Sequence, residues 1–281
     1  MSFLTSLRSD TRVARYMSFE KFFYLMEFGY AFFPNIRGLR NVNGKEGDPL
    51  EGRWSPCDLL LRNGGAEILD LAMDYLWPSV EKSENSKKDT LREEDSYQSL
   101  FGKRPKSGYS KDMERMASWV DIWCWNRFDH ERVDMWRAYG AGAGSVMMLS
   151  SVDRLKDSLI LPVDHEIILE DVKYVDKSSA IHDIKGNATL FLQKSRAFES
   201  EKEVRAILYN PNVDIERETS RTGQAIQVDL SRLVENVVMH YQSPLWMMDA
   251  INRISEEAIG KSAMESSIRK EIADATVFAG I

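Results

Sequence analysis

The sequence predicts an α+β fold: a mixed or antiparallel β-sheet core with flanking helices. Three observations predict it. Short runs rich in β-branched and aromatic residues recur along the chain, stretches with helical spacing lie between them, and the two alternate without a steady strand–helix–strand rhythm. No internal repeat is visible, so a solenoid or propeller is not expected. The expectation is one domain over residues 1–281, carrying a flexible polar insertion at 81–111.

Residues 12–17 (RVARYM) read as a short strand, after which Ser18 is placed to cap a helix that runs to Phe28 and stops at Gly29. Phe19, Phe22, Phe23 and Met26 fall at helical spacing and predict a core-facing stripe. Residues 30–33 return as a strand before Pro34, residues 37–53 read as a loop, and residues 66–77 read as a helix stopped by Pro78. Residues 81–111 are dense in Ser, Lys, Glu and Asp and poor in aliphatics, the composition of a surface excursion; Lys103, Arg104 and Lys106 form a small basic, solvated patch in it.

Order resumes at residues 119–125 (WVDIWCW), a buried strand. A helix over 129–139 and a small-residue turn at 140–144 lead to a strand at 145–149, a short helix at 152–159 and strand material at 165–175. Further strands are expected within 194–209, at 225–230 and at 237–241. An amphipathic helix at 245–259 follows, with Trp246, Ile251, Ile254 and Ala258 apolar.

Composition narrows the function classes. Hydrophobic content of 43% with 29% charged residues is that of an ordinary globular protein. A net charge of −7 argues against a generic nucleic-acid binder. Cys57 and Cys124 give neither a disulfide framework nor a zinc spacing, which suits a reducing cytoplasm. The first ten residues lack the apolar core of a signal peptide and no stretch reaches the length of a membrane span, so a soluble cytoplasmic protein is expected.

Glu201, Glu203 and Arg205 carry the sharpest chemical hint. If the whole segment is a strand, alternation puts all three on one face, with the carboxylates about 7 Å apart and a guanidinium next in line. They form either a functional cluster or the solvated face of a half-buried strand. His130, His165, His182 and His240 show no metal-ligand spacing. Residues 140–144 lack the Lys-Ser/Thr of a phosphate loop and precede a strand, which leaves their glycines the role of a tight helix-to-strand turn. Asp48 and Glu51 could touch ribose, a metal or an acceptor, but the favoured reading is structural, a turn initiator and a partner for loop arginines.

Several blocks together resemble a bacterial family catalogued as domain of unknown function 2971. They are Arg15-Tyr16-Met17-Ser18, Asp48-Pro49 with Glu51-Gly52, Cys124-Trp125, Met135-Trp136 with Tyr139, and Lys194, Phe198, Glu201, Glu203 and Arg205 at their spacing. Leu50, and Asp121 through Asn126 around Cys124-Trp125, depart from that family's pattern. The order of blocks also resembles the ADP-ribosyltransferase fold, an analogy of fold alone. The second resemblance implies NAD as cofactor, Glu203 as the catalytic carboxylate and Glu201 as the base that orients the acceptor. It further implies Arg15, Tyr16 and Arg205 around the cofactor, with Trp136 or Tyr139 beside the nicotinamide; the alternative is that Tyr16, Trp136 and Tyr139 are core aromatics, the favoured reading for Trp136, which sits mid-helix among apolar neighbours. Such folds are associated with conflict systems. The expected partners are therefore NAD, a nucleic-acid or protein acceptor and a neutralising or regulatory protein, in a toxin-like or antiphage effector; no metal is expected. Two other classes stay open: a metal-dependent nuclease using Asp164, Glu170, Asp171 and Lys173, and a non-catalytic sensor or interaction module.

Overall fold

The computed structural model describes residues 2–40, 52, 96–105, 109–140, 142–176 and 188–279. The expectations for the loop with Asp48 and Glu51, the helix at 66–77, Cys57 and His182 lie outside the described residues.

In chain order, β1 (Phe3–Leu4) and β2 (Arg12–Met17) precede helix α1 (Phe19–Phe28), followed by β3 (Tyr30–Pro34) and α2 (Ile36–Arg40). A hairpin of β4 (Ser96–Ser99) and β5 (Gly102–Pro105) leads to α3 (Tyr109–Met116), β6 (Asp121–Arg127), α4 (Val133–Tyr139), β7 (Val146–Ser151) and α5 (Val152–Ser158). Then come β8 (Leu159–Ile160), β9 (Glu166–Asp171), β10 (Lys173–Val175), β11 (Gln193–Ser195) and β12 (Glu203–Tyr209), with short 3₁₀ helices at Thr189–Leu192 and Arg196–Glu201. The chain continues through β13 (Gly223–Val228), α6 (Leu230–Leu233), β14 (Asn236–Met239), α7 (Leu245–Ile259) and α8 (Ser267–Ala279). The fold is α+β, as expected.

The main sheet has seven strands in the order β1-β9-β12-β6-β2-β7-β14, antiparallel except where β1 runs parallel to β9. A second sheet orders β3-β13-β8. Alternation along the strands sorts the main sheet's two faces. Val13, Met17, Trp123, Trp125, Val204, Ala206 and Leu208 point one way, into a core closed by α1, α7 and the inner side of the second sheet. The opposite face is divided. Ala14, Tyr16, Met147 and Leu149 pack under Met135 and Trp136 of α4, whereas Ile122, Ile207 and Tyr209 pack under Ile36, Met113, Met116 and Phe191.

Local chemistry accounts for the element ends. Gly29 adopts φ 66° and its N–H closes α1 onto the Leu25 carbonyl, a left-handed cap that suits glycine. At Gly140 a Cβ would lie 2.5 Å from the Trp136 carbonyl oxygen and 2.6 Å from Ser145 Oγ, so the turn from α4 to β7 leaves room for no side chain. In α1, Phe22 and Met26 are buried, but Phe23 lies on the exposed side. Trp246, expected on the apolar face of α7, is 67% exposed; it stands in the first turn, and the helix packs into the core through Met248 and Ile251.

The polar stretch 81–111 is corrected in its described part, which holds the β4–β5 hairpin and the start of α3. Ser99 Oγ donates to the Gly102 carbonyl and accepts from Phe101 N–H across the turn. Arg104 is not a solvated patch residue: it forks onto Asp112 at 3.1 and 3.2 Å and also reaches Glu216 at 2.5 Å. Sparse aliphatics hid this region because its order comes from ion pairs and from Leu100, Met113 and Met116.

α8 is held at its start from a distant loop. Glu131 accepts from Ser267 N–H and from Ser266 Oγ, both at 2.6 Å, placing a carboxylate on the helix N-terminus. Glu131→Ala is expected to cost about 1–2 kcal/mol, confined to α8. Native-state hydrogen exchange should show faster exchange in α8 with the strands of the main sheet unchanged; uniform loss of protection would contradict a local role.

Candidate functional site

β12 lies between β6 and β9, and all seven of its residues are buried. The half-buried strand with a solvated acidic face is therefore corrected, and so is its register. Glu201 does not stand on the strand. It ends the 3₁₀ helix, Lys202 follows in the left-handed region at φ 47°, and β12 begins at Glu203. Alternation therefore pairs only Glu203 with Arg205. Glu201 reaches the same place around a turn, where Asn126 Nδ2 donates to its carbonyl at 2.9 Å.

Glu203, only 2% exposed, is the hub. Arg205 Nε donates to its Oε1 at 2.8 Å, and Lys194 Nζ lies 3.3 Å from its Oε2 and 2.6 Å from Glu201 Oε2. Arg205 Nη1 also donates to the Phe191 carbonyl at 2.7 Å, and the Glu203 N–H donates to the Tyr174 hydroxyl at 2.7 Å. The register sets Cys124 of β6 directly opposite Arg205. Lys194, Cys124 and Tyr174 carried no assigned role in the sequence reading. Lys194 and Cys124 stand in the motif blocks, but only the register and the β10–β11 pairing, in which Tyr174 faces Lys194, show where they act.

The electrostatics follow from burial opposed by paired charge. Burial alone would raise the Glu203 carboxyl, but the cations Arg205 and Lys194, the Arg205 hydrogen bond and one from Cys124 bring it down to about 2. Burial, then the charge of Glu203, pushes the Cys124 thiol up, so it is a hydrogen-bond donor here and not a thiolate. The Tyr139 hydroxyl is raised by desolvation, then by the charge of Glu201 and a hydrogen bond to it. Tyr139 is 42% exposed as a residue, and its hydroxyl lies against Glu201.

Arg15 joins this cluster by an unusual route. Alternation starts it on the Trp123 side of the sheet, where its Cζ lies 5.6 Å from that ring. The β2–β6 ladder, however, pairs only Val13 with Arg127 and Ala14 with Asn126, and past that point Arg15 donates across the gap to the Cys124 carbonyl. Desolvation lowers its pKa, opposed by the nearby Cys124, Glu203 and Tyr139. That acceptor is a neutral carbonyl, and a guanidinium carries five donors, more than one carbonyl takes up.

The other expected cofactor residues are not brought in. Tyr16 and Trp136 pack edge to face at 4.9 Å inside the α4 cluster. The Tyr16 hydroxyl accepts from Arg132 N–H and is pushed up to about 12, chiefly by desolvation. Both are core aromatics, with Trp136 also set against His240. The residues of the nuclease alternative are dispersed: Asp164 is exposed at φ 62°, Glu170 accepts from Ser6 Oγ at 2.6 Å, and Asp171 accepts a fork from Arg127 at 2.7 and 2.6 Å. Among the described residues no group of three or more His, Cys, Asp or Glu is arranged to hold a metal ion. No described helix is long and apolar enough to cross a membrane. No protein-family model, curated protein or solved structure matches the chain.

The network has a pH signature. Glu203 falls from an ordinary 4.5 to about 2 on folding, so its ion pairs add stability that is complete above the unfolded value and lost as pH falls toward 2. In denaturant titrations, the stability gap between wild type and Glu203→Gln should stay constant from neutral pH to about 5. Below that it should narrow, by up to about 3 kcal/mol near pH 2. A gap independent of pH would mean that Glu203 is not ionised in the folded chain.

Proposed function

We propose that the chain is an NAD⁺-using enzyme of the ADP-ribosyltransferase type. It would transfer ADP-ribose to a macromolecular acceptor or, with water as acceptor, act as an NAD⁺ glycohydrolase. The observation that carries this reading is an ionised, buried Glu203 with Glu201 beside it and the Arg15 guanidinium close by, where the β2–β6 ladder opens. A nucleic-acid or protein acceptor and a toxin-like or antiphage role in the cytoplasm belong to the same proposal, as does a neutralising protein partner.

The chemistry asks for these groups. Breaking the bond between ribose C1′ and the nicotinamide nitrogen sends the electron pair out with nicotinamide and leaves positive charge on the ribose ring. Glu203 stabilises that charge as it develops, and burial strengthens the interaction over its value in water. Glu201 takes the proton from the acceptor as its oxygen or nitrogen attacks C1′. Arg15 presents a fork suited to a pyrophosphate, and Tyr139 offers a ring on the open side of the cluster. Arg205 acts on Glu203 and holds it in place. Tyr16 and Trp136 form packed core between β2 and α4 and make no contact to substrate.

Purified protein should gain thermal stability with NAD⁺ and release nicotinamide. Glu203→Gln should lower release roughly 10²–10³-fold while NAD⁺ still raises the melting temperature, and Glu203→Asp, which keeps the charge, should retain more activity. Wild type should arrest growth of an expressing bacterium and Glu203→Gln should not. Absence of NAD⁺ binding and of transfer or hydrolysis with RNA, DNA and protein acceptors would overturn the proposal.

A further inference from the structure

We propose that Lys194 is a positioning residue that fixes Glu201 and Glu203 beside each other and supplies the positive charge between them, an inference that rests on the proposed function for its catalytic consequence. Its ammonium lies 2.6 Å from Glu201 and 3.3 Å from Glu203, with the Phe198 ring 4.8 Å away. Arg205 serves Glu203 on its other oxygen. Lys194 is thus a cation that touches both carboxylates. An ammonium has three donors at one point and can bridge two oxygens arriving from different directions, where a planar guanidinium favours one carboxylate as a fork.

The strand pairing explains how the lysine gets there. β11 lies parallel to β10 with Lys194 opposite Tyr174, whose hydroxyl accepts the Glu203 N–H. One two-stranded unit therefore fixes both the backbone of Glu203 and the cation between the carboxylates. Two carboxylates this close in a desolvated setting share a proton unless a cation lies between them. A shared proton would disable one of them: Glu203 could not stabilise the ribose charge, or Glu201 could not accept the acceptor's proton. The other groups facing the pair are Arg205 on β12, Cys124 on β6, Arg15 on β2, Tyr139 on α4 and Tyr174 on β10.

The test compares Lys194→Met and Lys194→Arg with wild type by two readouts. Carbon NMR of the glutamate carboxyls reports protonation without any need for turnover. In Lys194→Met the pair should take up a proton about one pH unit or more above wild type, and in Lys194→Arg close to wild type. In nicotinamide release at neutral pH, Lys194→Met should lose roughly 10²-fold in kcat with little change in KM for NAD⁺ because the carboxylates are no longer held in place, and the acid limb of its pH profile should move up with the carboxyl titration. In a Glu201→Gln background the pH shift caused by Lys194→Met should shrink, because only the attraction between Lys194 and Glu203 is then lost. If Lys194→Met alone does not fold, Glu201→Gln with Lys194→Met should restore folding; failure to do so overturns the inference. Coincident carboxyl titrations in wild type and Lys194→Met also overturn it. If wild type releases no nicotinamide, the enzymatic reading falls, and the carboxyl titrations still decide what Lys194 does.

Discussion

The carboxylate of Glu203 constrains everything around it. A charge buried at the start of a strand covered on both faces costs several kcal/mol unless it is paired and hydrogen-bonded. Arg205 meets it from its own strand, Lys194 from β11, and Cys124 from β6 with a thiol proton. Tyr174 accepts the backbone N–H of the same residue. Meeting those demands ties the small β10–β11 unit to the main sheet and forces the sharp left-handed turn at Lys202 that brings Glu201 around. The Arg205–Glu203 pair adds little net stability over an apolar pair of the same shape, but losing Glu203 takes the counter-charge from two buried cations, and losing Arg205 leaves Glu203 to Lys194.

The polar cluster stands where the sheet interior changes character. One face of the main sheet is continuous apolar packing; the other is split between the α4 cluster and the cluster under α2, α3 and Phe191. Glu203 and Arg205 share the split face with Cys124. Close by, β2 and β6 stop pairing, and Arg15 turns its guanidinium into the gap. A continuous ladder there would satisfy the Cys124 carbonyl through the backbone and leave Arg15 no route across. The broken ladder is what gives Glu203 on one strand a basic neighbour from another.

Much of the architecture was legible because periodicity reports which face is buried. The strand at β2, the helix α1 with its glycine stop, the aromatic strand β6, and α7 all stand where alternation or helical spacing placed them. The β4–β5 hairpin was not legible, since ion pairs among Arg104, Asp112 and Glu216 leave no apolar period. Trp246 and Phe23 fit a helical stripe but emerge on the exposed side, because a stripe is wider than the surface it packs on. Within the site, residue types were readable and geometry was not. Strand alternation carried through Glu201 placed three residues on one face, whereas a 3₁₀ turn delivers that glutamate.

The sequence by itself determined the α+β class, the order of most elements and the chemical inventory of the acid cluster, since all three are written in local periodicity and residue type. Tertiary structure decided which of those residues meet. It sent Tyr16 and Trp136 into the core, brought Arg15 through a gap between strands, and set Lys194 between two glutamates seven and nine residues further on. The physical reason is that local pattern specifies which side of an element is apolar, whereas a buried charge finds its partner through strand register, a property of two segments far apart in the chain.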